Sequence, residues 1–93
     1  MNSAPVLYQD DEYSLSSKIQ KFLYEKFDAC FIGGEFMEDI YSLFTQEHGD
    51  IPYHVFAREF TRLAGQMYKA RDSRKRRNGV GNPISFMEGI KIQ

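Results

Sequence analysis

Lys69-Ala70-Arg71-Asp72-Ser73-Arg74-Lys75-Arg76-Arg77-Asn78-Gly79-Val80-Gly81-Asn82-Pro83-Ile84-Ser85-Phe86-Met87-Glu88-Gly89-Ile90-Lys91-Ile92 carries three signals in succession. Six of the twelve Lys and Arg residues lie between Lys69 and Arg77. Asn78-Gly79-Val80-Gly81-Asn82-Pro83 follows at once, a Gly-rich turn sequence. Ile84, Phe86, Ile90 and Ile92 then share parity, so an extended chain over about 84–92 can bury one face. Basic arm, turn and amphipathic strand predict a β-hairpin whose outgoing strand holds positive charge on a ribbon of about 3.3 Å per residue. Glu88 and Gly89 break the alternation, and Glu88 has the parity of the buried face, which predicts a bulge or a switch of face there.

Upstream of the hairpin the pattern is helical. Leu15, Ile19, Phe22, Leu23 and Phe27 recur at helical spacing and predict a helix over about 14–29, capped near Ser14. Cys30-Phe31-Ile32 is too short for a helix and reads as a brief strand ended by Gly33-Gly34. A second helix is expected over about 35–48, with Phe36, Ile40, Leu43 and Phe44 on its apolar face. Glu35, Glu38 and Asp39 sit in its first turns, where the helix dipole favours acids. Pro52 suits the first position of a third helix over about 52–64, with Phe56, Phe60 and Leu63 inward. Gln66 onward is expected to be strand. Residues 1–12, with Pro5 and Asp10-Asp11-Glu12, show no periodicity and read as a flexible N-terminal arm ahead of a domain at 13–93. The order helix, short strand, helix, tight turn, helix, hairpin is that of an α+β winged helix-turn-helix domain.

Ninety-three residues allow one domain with one core. The formal net charge of −1 conceals an asymmetry. Residues 1–50 hold three lysines against ten acids, a balance of −7, whereas residues 51–93 hold nine basic groups against three acids, a balance of +6. Such polarity points one side of a small domain at a polyanion. Cys30 stands alone, so there is no disulfide framework, and its apolar neighbours suggest a small buried residue. A reducing, cytoplasmic compartment fits, with no membrane segment.

The third helix offers the chemistry of base and phosphate recognition. His54, Arg58, Thr61 and Arg62 recur at spacings of three and four opposite the apolar side. Lys69, Arg71, Arg74, Lys75, Arg76, Arg77 and Asn78 supply the hairpin side of the same expected interface. Successive strand residues face opposite ways, so not all six cations can reach one phosphate chain. His48 and His54, with Glu47 and Asp50, lack any recognised metal-ligand spacing. Nothing assembles a nucleophile, base and orienter, so no enzyme, no catalytic residue, no metal and no cofactor is expected.

Phe56 to Phe60 on the third helix, Tyr68-Lys69 opening the basic strand, Arg77-Asn78-Gly79 at the tip and Phe86-Met87-Glu88-Gly89-Ile90-Lys91-Ile92 resemble a recurrent winged-helix domain. It occurs in the poxvirus-type primase-helicases of phages, viruses and plasmids, and similar domains occur in replication initiators of mobile elements. The resemblance covers about residues 35 to 92. It implies binding of double-stranded DNA at a replication origin or related site. It places the contacts on Arg58 and Arg62 of the helix and on Arg74 to Asn78 of the wing. The chain has neither the phosphate-binding loop nor the acidic primase motif of the enzymes. The expected setting is the cytoplasm of a bacterial host, with further domains of a longer replication protein as partners. Val6, Leu7, Tyr8 and Tyr13 offer a surface for a homodimer. A transcriptional regulator with the same contacts, and an adaptor or inhibitor of a host protein working through the acidic half, are the alternatives.

Overall fold

The computed structural model describes the backbone of residues 3–93 and the side chains of residues 15–93. The elements run α1 (Ser3–Lys26), β1 (Phe27–Phe36), α2 (Met37–His48), α3 (Tyr53–Tyr68), β2 (Arg71–Arg77) and β3 (Val80–Ile92). The three strands form one antiparallel sheet in the order β1-β3-β2. Three helices, a strand between the first two, a short link between the second and third, and a C-terminal hairpin make the winged helix-turn-helix topology. No helix among the described residues is long and apolar enough to cross a membrane.

Several boundaries differ from the sequence reading. Helix α1 runs back through Ser14 to Ser3. Pro5 lies near the helix N-terminus, where a missing N–H goes unnoticed. The side chains of the stretch read as an arm, including Val6, Leu7, Tyr8 and Tyr13, lie outside the described residues. At its other end α1 stops at Lys26 rather than 29, because Phe27, Asp28 and Ala29 pair with Ile92, Lys91 and Ile90. Ladder partners some sixty residues away override the helical periodicity there.

Gly33-Gly34 does not end the strand. β1 loops out between Ala29 and Gly34, then resumes pairing, with Phe36 opposite Phe86. Gly34 is needed for close approach: a Cβ on it would meet the Met87 carbonyl oxygen at 1.9 Å. Phe36 therefore belongs to β1 and serves as the extended N-cap of α2, instead of lying on that helix's apolar face. Cys30 is only half-buried, on the loop-out, where its thiol approaches the Gly33 carbonyl at 3.7 Å. The expectation of a buried cysteine is corrected accordingly.

Helix α3 continues past Gly65 to Tyr68, so residues 66–68 are helix and not strand. The chain leaves it at Lys69, in the left-handed region at φ 59, with the Lys69 N–H on the Gly65 carbonyl at 3.0 Å. Tyr68 is held as the helix's last turn because its hydroxyl donates to the Leu23 carbonyl at 3.0 Å. That carbonyl belongs to α1, which a reading of local periodicity does not see. The hairpin turn falls at Asn78-Gly79, with φ of 55 and 75, the pair of positive values that a two-residue type I′ turn requires. β3 starts directly after it at Val80, four residues earlier than expected. The extra residues are absorbed by an irregularity opposite Lys75 to Arg77.

The core lies between the helices and one face of the sheet. Phe22, Phe27, Phe44, Phe56 and Phe60 interlock with Ile19, Leu23, Met37, Ile40, Leu63 and Ala64. Phe22 meets Phe27 edge-on at 5.3 Å and Phe44 at 5.1 Å. From the sheet come Met87 and Ile90. They are three residues apart, and the change of parity occurs at Gly89, whose φ is 102. The expected switch of face is thus present, but it puts Met87 into the core and turns Phe86 to the other side of the sheet, where it packs against Phe36 at 5.0 Å.

Candidate nucleic-acid interface

Strand parity divides the basic arm into two sets. Asp72 pairs with Met87 and Arg74 with Ser85, so Asp72, Arg74 and, by alternation, Arg76 follow the face of β2 that looks toward α3. Arg71 pairs with Glu88, Ser73 with Phe86 and Lys75 with Ile84, so these share the outer face of the sheet with Arg77.

Of the outer-face cations, Arg71 and Arg77 are paired with acids, whereas Lys75 has only a ring contact among the described residues. Arg71 reaches Glu88 at 2.9 Å. Bonds from the Ser73 hydroxyl first, and from Arg71 next, hold the Glu88 carboxyl below the usual carboxylate range. The Lys75 ammonium stands 4.7 Å over the ring of Phe86. Arg77 donates to Glu38 and Asp39 in the first turn of α2, each at 3.0 Å. Its guanidinium lies 4.3 Å over the ring of Phe36. Arg77, expected as a wing contact, ties the wing to α2. The α3-side cations Arg74 and Arg76 are exposed and have no ion-pair partner among the described residues. Asn78 sits at the exposed hairpin tip.

The four helix residues separate in the same way. His54 and Arg58 are exposed, and Arg58 has no ion-pair partner among the described residues. Thr61 is half-buried, its hydroxyl directed at the Met87 sulfur at 3.8 Å, so it seats α3 on the sheet. Arg62 points toward α1: its Nε donates to Glu59 at 3.2 Å and its terminal nitrogen to the Ser16 hydroxyl at 3.3 Å. Ser16 in turn donates to Glu59 at 2.6 Å. The bond from Arg62, and then the one from Ser16, hold the Glu59 carboxyl below its ordinary value. This triad joins α1 to α3.

Tyr53, which the sequence reading passed over, connects the helix to the wing. It opens α3, meets Tyr41 edge-on at 5.2 Å, and keeps part of its surface in water. Burial, then the charges of Glu38 and Asp72, raise its phenol above the ordinary value, while Arg74 and Ser85 act in the other direction. The α3 N-terminus, the first turn of α2 and the β2–β3 hairpin therefore converge around one ring. Tyr41 stiffens the helix-turn-helix link from the opposite side, its hydroxyl donating to the Ile51 carbonyl at 2.6 Å.

His48 lies against Phe44 at 4.5 Å and Glu47 at 3.7 Å, apart from this surface. No family model, curated protein or solved structure matches the chain.

Proposed function

We propose that this chain is a DNA-binding domain that recognises a site on duplex DNA, in the setting of a replication origin of a phage or other mobile element. The observation that carries the reading is the set Arg58, Arg74 and Arg76. All three are exposed and without an ion-pair partner among the described residues, with Arg74 on the side of the wing that faces α3 and Arg76 two residues further along the same strand. Cations inside a fold tend to be paired; a group of unpaired ones across a helix and an adjoining hairpin fits a phosphate backbone. In this arrangement α3 enters the major groove, with Arg58 and His54 on base edges, and the wing follows the neighbouring backbone. The acidic first half suits the side turned away from DNA. The same contacts would serve a transcriptional regulator, and the genomic position of the site separates the two roles.

Selection from random duplex DNA by the full chain, followed by sequencing, tests the proposal. Enrichment of one motif is the expected result. No enrichment, together with no duplex binding at low salt, would exclude the reading.

A further inference from the structure

The outer face of the sheet holds a second feature that the duplex reading does not use. Between Ala29 and Gly34, β1 inserts four residues opposite the single residue Gly89 of β3. This loop-out carries Phe31, fully exposed, and Ile32, 90 % exposed. Burying a Phe side chain is favourable, and here the fold leaves one in water.

Phe31 stands beside a concave surface. It lines a groove of 720 Å³ between the loop-out and β2. Lys69, Arg71 and Lys75 line the groove from the other side, and Phe86 forms part of its wall. Among the described residues, Glu88 is the only acidic one lining it, and Arg71 already holds that carboxylate. The groove therefore combines flat apolar surface with excess positive charge.

We propose that this groove binds single-stranded nucleic acid, with a base stacked on Phe31 and the adjoining phosphates on Lys69 and Lys75. A base has a π-face that any aromatic side chain can take, and the phosphate beside it needs a cation within one nucleotide's reach. An apolar protein segment would cover Phe31 but would have no use for the lysines. Tyr68 of α3 and Arg74 also line the groove, so it adjoins the proposed duplex surface at Arg74. Phe31, Lys69 and Lys75, which carry the present proposal, are not among the cations Arg58, Arg74 and Arg76 that carry the duplex reading.

The test uses the full chain with short fluorescent oligothymidylate and oligouridylate at low salt. Binding of at least one is expected, and oligodeoxyuridylate, which differs from oligouridylate only at the 2′ position, shows whether any preference between them reports a contact there. Phe31→Ala is expected to weaken that binding about tenfold, with its thermal midpoint unchanged because Phe31 is fully exposed. The chain has no Trp, so in Phe31→Trp the new indole emission reports the site directly. Oligonucleotide should quench it, with affinity restored to the starting value. Failure of the starting protein to bind either strand would overturn the proposal, and so would undiminished binding by Phe31→Ala or an unquenched indole in Phe31→Trp. Loss of duplex binding in Arg58→Ala with single-strand binding retained would show that the two surfaces are separate.

Discussion

The guanidinium of Arg77 lies 4.3 Å over the ring of Phe36, the residue that ends β1 and caps α2. From there it reaches Glu38 and Asp39 in the first turn of that helix. Acids in a first turn already complement the helix dipole. Arg77 adds a counter-charge and turns the end of the wing into a strut against the body of the domain. A wing held at a fixed angle to α2 is also held at a fixed angle to α3, since α2 and α3 share the core through Phe44 and Phe56, 4.9 Å apart.

Arg77 and Arg76 are adjacent in sequence and should behave oppositely. Arg77→Ala is expected to lower the thermal midpoint and to leave the salt dependence of duplex binding almost unaltered. Arg76→Ala is expected to leave the midpoint in place and to reduce the slope of log K against log salt by about 0.9, the contribution of one phosphate contact. Thermal unfolding by circular dichroism and anisotropy titrations at several salt concentrations measure both. Equal slopes lost from the two variants would remove the strut assignment.

Arg58 is placed to read sequence, whereas Arg62 is placed to hold α1. Arg58→Ala should cut discrimination between the selected duplex and a scrambled one by about 1–3 kcal/mol. Arg62→Ala should leave discrimination intact and weaken the α1–α3 joint with Glu59 and Ser16. Competition binding with matched and scrambled duplexes decides it. Loss of discrimination in Arg62→Ala instead would mean that the arginine leaves Glu59 on binding DNA.

The Glu59 carboxyl is held low in the folded chain by Arg62 and Ser16. A carboxyl with a depressed folded pKa contributes stability above its unfolded value, about 4.3, and loses that contribution as pH falls through the folded value. Acid unfolding of the starting protein should therefore include a component that Glu59→Gln lacks. The thermal midpoint of Glu59→Gln should be lower at neutral pH and should change less between neutral pH and strong acid. Identical pH profiles for the two proteins would contradict this.

Gly34→Ala should be far more damaging than Gly79→Ala. A methyl group at Gly34 meets the Met87 backbone, which cannot rotate away, so the β1–β3 crossing must open, at a cost of about 2–4 kcal/mol. Gly79, at φ 75, has nothing within 4 Å of an added Cβ. Alanine there costs only the left-handed backbone, about 1 kcal/mol. Denaturant unfolding of the two variants gives the order, and a reversed order would refute the close-approach role of Gly34.

The element order, the helical core residues Ile19, Phe22, Leu23, Ile40, Phe44, Phe56, Phe60 and Leu63, and the presence of a C-terminal hairpin were all legible in the sequence. Each rests on a local cause: apolar spacing of three and four, Pro52 ahead of a helix, and a Gly-rich turn between a basic arm and an alternating apolar run. The acidic and basic halves were legible too, because charge is a property of composition. What only the tertiary structure decided is which charges remain available. Six cations between Lys69 and Arg77 look alike along the chain. Alternation says that they face two ways, but not what waits on each side. Glu38 and Asp39 come to Arg77 from nearly forty residues away, Phe36 comes with them, and Phe86 reaches Lys75 only because Gly89 reverses the parity of β3. Likewise Phe31, an apolar residue in an apolar run, is left in water because Gly34 must meet Met87 and the intervening residues have no partner strand. Local interactions select the elements, and long-range pairing then sets which side chains are consumed by the fold and which are left to bind.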